Sequence, residues 1–192
     1  MKTNRLKFSK IFLALLCSIL CFSMGFLFTN LCTSKGVTTT NVLANYDLDE
    51  MLSFSDLIIE GRVKSVSEPF WDKENKDIVR RSVTVEVNDT YKGKAKSTVE
   101  LLLSGGKIGD YVHNVSPNLE LIEGENVILF LIQYHDNEHY VIMNSTQGVL
   151  YAEKPMNNSD EVVYSTAENY NFKFNSITRS ELRQYTHATK EE

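Results

Sequence analysis

Between Ile78 and Tyr91 the chain alternates apolar and polar residues with period two. Val79, Val83, Val85, Val87 and Tyr91 share one face, and Arg80, Ser82, Thr84, Glu86 and Asn88 share the other. Side chains of a strand point alternately to opposite sides, so this run is a strand with one face in a core and one toward water. The chain is therefore built around a sheet. An apolar fraction of 42% and a charged fraction of 23% are those of a folded globular chain.

Other segments share this pattern. Leu57–Val66 places Ile59, Gly61 and Val63 on one face and Glu60, Arg62 and Lys64 on the other. Thr98–Leu103 turns Val99, Leu101 and Leu103 inward. Asn126–Tyr134, NVILFLIQY, is apolar on both faces, which predicts a strand covered on both sides. Asp136-Asn137 predicts a hairpin turn, after which Tyr140–Met143 pairs back. Gly148–Ala152 either continues that strand or forms a sixth. Residues 47–55 predict a short helix with acids in its first turn. Thr178-Arg179-Ser180-Glu181 fits a capping box opening a helix over about 178–187, with Leu182 and Tyr185 facing the core.

These elements predict a mainly β body: a five- to six-stranded antiparallel barrel with a short N-terminal helix and a C-terminal helix. The oligonucleotide/oligosaccharide-binding (OB) barrel has five strands, with a longer connection between the third and fourth, and Ser104–Glu123 occupies that place. An immunoglobulin-like sandwich is the competing architecture, but it wants about seven strands.

The charge divides the chain in two. Residues 1–44 carry Lys2, Arg5, Lys7, Lys10 and Lys35 and no acid; the remaining 148 residues carry a net charge of −10. Cys17, Cys21 and Cys32 also lie in the first part. Ile11–Phe28 is an uncharged apolar run behind four cations, which predicts an N-terminal apolar helix acting as an export signal or a membrane anchor. Its positive flank places the body outside the cytoplasmic membrane. Val42-Leu43-Ala44 offers small residues for a signal peptidase, which would leave a body of residues 45–192. Left uncut, residues 1–44 are an anchor and spacer. The body lacks cysteine, so packing rather than disulfides must hold it. The composition suggests a Gram-positive origin, in which the sequons at Asn88, Asn114, Asn144 and Asn157 carry nothing; in a eukaryotic secretory protein they are glycan sites.

Asp56-Leu57-Ile58-Ile59-Glu60-Gly61-Arg62-Val63, then Tyr91-Lys92-Gly93, Glu123-Gly124-Glu125 and Val127-Ile128-Leu129-Phe130-Leu131, together resemble secreted OB-type domains. The resemblance is to the netrin-like and tissue-inhibitor-of-metalloproteinases-like kind, and to exported bacterial domains of the same build. It covers about 56–152 and consists mostly of strand grammar. It implies a barrel and, by analogy, a protease-inhibiting module. The inhibitors use an N-terminal cysteine on the target's zinc and disulfides around the barrel, and this body has neither.

Three groups of residues are candidates for chemistry. Phe70 and Trp71 sit in the first long loop, where exposed aromatics mark a binding surface and tucked ones pack beneath the barrel. Gly105, Gly106, Lys107, Gly109 and Asp110 form a glycine-rich stretch that matches no phosphate-binding motif; it is a tight turn or a functional rim. His135 and His139 flank the predicted hairpin tip with Asp136 and Glu138 between them, a set that could take a divalent ion or form a plain polar turn. No nucleophile–base arrangement stands out. The sequence thus predicts a non-enzymatic binding module without a cofactor, whose partner is a protein or a cell-envelope component. The membrane joins as a partner if residues 1–44 stay attached. The net charge of −5 argues against nucleic acid.

Overall fold

The computed structural model describes residues 35–153, 162–167 and 171–188. In chain order the elements are β1 (Lys35–Thr40), α1 (Leu48–Phe54), β2 (Leu57–Val66), β3 (Phe70–Trp71), β4 (Val79–Lys92), β5 (Thr98–Ser104) and β6 (Gly106–Ile108). They continue with β7 (Tyr111–Ser116), β8 (Asn126–Gln133), β9 (Tyr140–Ile142), a 3-10 turn (Ser145–Gly148), β10 (Val149–Ala152), β11 (Val163–Ser165), β12 (Ser176–Thr178) and α2 (Arg179–Ala188).

Five strands close a barrel. β2 pairs with β4, β4 with β5, β5 with β9, β9 with β8, and β8 returns to β2. All of these pairings are antiparallel except β5–β9, which is parallel. The segment Gly148–Ala152 does not continue β9. It forms β10, which lies on β8 and extends the sheet outward through β11 and β12. β1, β7 and β6 make a separate three-stranded sheet.

The two faces of β2 and β8 build two cores. Leu57, Ile59 and Val63 of β2 and Val127, Leu129 and Leu131 of β8 fill the barrel with Val83, Val85, Val99, Leu101 and Leu103. The alternate residues Ile58, Ile128 and Phe130 point outward, under Met51 and Leu52 of α1, Tyr164 of β11, Ile177 of β12 and Leu182 of α2. Each large apolar side chain so buried stabilises the fold by about 1.5–3 kcal/mol. The doubly apolar NVILFLIQY run is thus covered on both sides, as its composition predicts. The barrel has no room for a side chain at Gly61, where a Cβ would stand 2.5 Å from the Glu86 carbonyl oxygen.

Simple alternation fails at one end of β4. The β2–β4 register slips between Ile58 and Ile59, between Glu60 and Gly61, and between Val63 and Ser65. Each extra residue flips the faces that follow it. Tyr91, expected beside Val83 and Val85, therefore lies in the outer cluster. Glu60, expected to face water, is buried there too.

Both helices begin as their sequences predict. Asp47 accepts from the Glu50 N–H at 3.0 Å, while the Glu50 carboxylate accepts from the Asp47 N–H at 2.9 Å. Thr178 and Glu181 make the same reciprocal pair, at 3.2 and 2.9 Å. Leu182 is buried, but Tyr185 is exposed, and Thr186, one turn on from Leu182, takes the inner position instead. Among the described residues no helix is long and apolar enough to cross a membrane, and the apolar run Ile11–Phe28 lies outside those residues.

The stretch read as spacer contains ordered structure. Gly36–Thr40 runs along β7, and the side-chain amide of Asn144 donates to the Ala44 carbonyl at 2.7 Å and accepts from the Ala44 N–H at 3.1 Å. Gln147 treats Tyr46 the same way, at 2.7 and 3.3 Å.

Candidate functional site

The loop between β2 and β4 is a short hairpin. Phe70 and Trp71 pair with Arg80 and Val79. Asp72 shapes its tip: one carboxylate oxygen accepts the N–H groups of Glu74 and Asn75, both at 2.9 Å. The other oxygen takes the Arg80 Nε–H. Burial opposes ionisation of Asp72, but Arg80 and the two amides outweigh it and hold its pKa below the usual carboxylate range.

The turn between β8 and β9 is built by the same chemistry. Asp136 accepts the N–H groups of Glu138 and His139, each at 2.9 Å, and Asn137 adopts a positive φ of 59°. Those amides, with the His139 ring 2.6 Å away, lower the Asp136 pKa to about 2. Asp and Asn side chains that bond their own backbone are what make such tight tips.

Arg80 joins the two hairpins. Besides Asp72, its guanidinium donates to the Tyr134 hydroxyl at 3.0 Å and to the Ser104 hydroxyl at 3.3 Å, and it lies 5.2 Å from the centre of the Tyr134 ring. At the rim, His135 Nε2 stands 3.1 Å from both oxygens of Glu74. Between the hairpins is a cleft of about 390 Å³, walled by Phe70, Asp72, Arg80, Tyr134, His135 and His139 among others.

Phe70 and the two histidines, separate in sequence, thus share one cleft. Phe70 is 36% exposed and Trp71 39%, so neither is tucked beneath the barrel. Trp71 packs against Tyr111 of β7 at 4.8 Å between ring centres, and the Tyr111 hydroxyl donates to the Asp77 carbonyl at 2.8 Å. The loop residues 68–77 and 104–118 therefore meet. The histidines do not share a carboxylate: His135 faces Glu74, whereas His139 faces Asp136 and, at 3.4 Å, Glu100. Among the described residues no group of three or more His, Cys, Asp or Glu is placed to hold a metal ion.

The glycine-rich stretch stands apart from the cleft lining. Gly105 and Gly106, at φ of 104° and 143°, carry the chain from β5 into β6, and the Gly105 N–H donates to the Val79 carbonyl at 2.8 Å. Gly109 and Asp110 turn β6 into β7, and Lys107 is exposed on β6. A positive φ at Gly105, Gly106 and Gly109 explains the glycines by backbone geometry.

Sequence reasoning missed Arg80, which the alternation marks only as one residue of a polar strand face. Its position in the alternation was visible, but its partners Asp72, Ser104 and Tyr134 come from three distant segments. It also missed a buried polar cluster around Glu60. That carboxylate accepts from the hydroxyls of Tyr91 at 2.8 Å and Tyr164 at 2.9 Å, and from Arg179 at 2.9 and 2.5 Å. Burial works against its ionisation, but Arg179 and the two hydroxyls prevail and lower its pKa. The cluster borders a cavity of about 540 Å³, in which burial and the charges of Glu125 and Glu120 push the Tyr151 hydroxyl up to about 12. Both Glu60 oxygens are saturated by the protein itself, so this cluster ties α2 to the barrel.

No protein-family model matches this chain, and no curated protein matches it.

Proposed function

We propose that this chain is an exported, non-enzymatic binding module acting at the outer cell surface or in the medium. Its ligand surface is the cleft between the 68–77 hairpin and the 134–139 turn, with Phe70 in its wall. The partner is a protein or a cell-envelope component. One observation carries the reading: a cross-braced cleft, walled by the part-exposed Phe70, lies between two loops at one end of a closed barrel. Rigid strands carrying adaptable loops are a common platform for recognition. The strand order supports the finer assignment to the OB type. Numbered within the barrel it runs first, second, third, fifth, fourth, and the two hairpins are the first–second and fourth–fifth connections that OB barrels use for ligands. The cleft contains more carboxylates than fixed cations, which favours an uncharged or cationic group over a nucleic acid.

Photo-crosslinking tests this reading. The full chain is produced in a Gram-positive host with a photoreactive residue in place of Phe70, or in place of the exposed Ile122 as a control. Discrete adducts from position 70 and none from position 122 support the cleft. No adducts from position 70, or the same adducts from both, would exclude it.

A further inference from the structure

β1 is a weakly buried edge strand. Of its six residues only Val37 is even half-buried, so backbone pairing with β7 rather than apolar packing holds it in place. It runs past β7 from Val112, beside Gly36, to Ser116, whose carbonyl accepts the Asn41 N–H at 2.7 Å. Just beyond it, residues 41–43 line a cavity of about 440 Å³, and Val42 is 96% exposed. The chain is fixed again at Ala44 and Tyr46 by Asn144 and Gln147. β1 is thus a lightly held strand on a hinge.

The edge it covers is specifically built. His113 is only 3% exposed. Its Nδ1 stands 3.1 Å from the Val79 nitrogen and 3.2 Å from the Val79 carbonyl oxygen, and its Nε2 stands 3.0 Å from the Thr39 hydroxyl, which can donate or accept as the ring requires. A buried ring nitrogen without a partner is costly in either tautomer, so this edge calls for a hydroxyl at that place. It also calls for glycine three residues earlier, because a Cβ at position 36 would stand 2.1 Å from the Val112 carbonyl oxygen. An occupant must therefore be extended and carry Gly-x-x-Ser or Gly-x-x-Thr. The chain's own Gly36-Val37-Thr38-Thr39 meets both demands.

We propose that the edge of β7 is a strand-docking site which β1 fills as a built-in plug, and that its external occupant is the same segment of a second copy of this chain. Exchange of one strand between identical chains about a hinge is a low-cost route to association. The copies are joined through 36–41, separately from the Phe70 cleft.

The test uses the full-length chain in mild detergent and a fluorescein-labelled peptide of residues 36–46. Gly36→Val in the chain evicts its own β1 and leaves the acceptor edge intact. With that intramolecular competitor removed, the variant binds the peptide roughly 10-fold or more tightly than the unaltered chain. A peptide carrying the same substitution binds neither. Tagged Gly36→Val chain retains untagged unaltered chain but not untagged Gly36→Val chain. Equal peptide affinity for both chains, with matching melting curves, overturns the proposal, as does binding of the substituted peptide. Should Gly36→Val fail to fold, residues 41–43 are replaced by a protease recognition sequence and cut after folding. Exchange of the cut piece for excess peptide supports the site, and its retention overturns it.

Discussion

Glu60 shows how one buried charge organises its surroundings. Its carboxylate meets two tyrosine hydroxyls and a guanidinium from 119 residues away. Breaking a buried pair costs about 3–5 kcal/mol when both partners are enclosed. Here Arg179 is 41% exposed, so Glu60→Ala is expected to cost about 2–3 kcal/mol, read from urea unfolding. The pH dependence has a definite sign. Folding lowers the Glu60 pKa, so its contribution is complete above the ordinary glutamate value of ~4.3 and is lost as pH falls through the folded value. Melting curves of the protein and of Glu60→Gln should lie furthest apart near neutrality and approach each other in acid. Nothing local in the sequence marks Glu60 as different from Arg62 or Lys64. Its burial depends on β11, β12 and α2, which come from the other end of the chain.

Among the elements, those with a strong local signal were legible and those without one were not. The alternation of β4, the doubly apolar β8, the acids that open α1 and the capping box of α2 can be read directly from side chains. β6, β7, β11 and β12 are short and form because a neighbouring strand is there to pair with them. The reversal at Tyr91 was likewise hidden, since a bulge is a relation between two strands. The same close pairing makes Gly61 a sensitive position. Gly61→Ala forces Cβ against the Glu86 carbonyl and the Val85 side chain, and overpacking of this kind costs about 1–3 kcal/mol, measurable as a lower urea midpoint. At the start of α2, Thr178→Ala removes the hydroxyl that accepts from the Glu181 N–H and is expected to cost about 1 kcal/mol, measured the same way.

For the whole molecule, the stretch before residue 45 decides what a stable body is. The sequence separates a basic leader from an acidic domain at Ala44, whereas the fold uses Gly36–Thr40 as a strand and fastens Ala44 to Asn144. A body of residues 45–192 loses those contacts and leaves Asn144 short of two partners. It is expected to melt several degrees below one that begins at Gly36, on the basis of about 1–2 kcal/mol and ~2–4 °C per kcal/mol for a chain of this size. Calorimetry of the two bodies checks this, and equal melting temperatures would mean that the strap adds nothing. The candidate site was half legible. Phe70 and the two histidines stood out as residue types, but their meeting in one cleft depends on how the barrel closes, and Trp71 packs on Tyr111 instead.

The ion pair between Glu60 and Arg179 also sets an order of events. The first barrel strand cannot neutralise its buried carboxylate until a residue near the far end of the chain arrives. A polypeptide made N-terminus first therefore holds β2 unfinished until residue 179 has been added. Contacts so distant in sequence slow the search for the native state. A fold braced by so late a contact is complete only once Arg179 has reached β2.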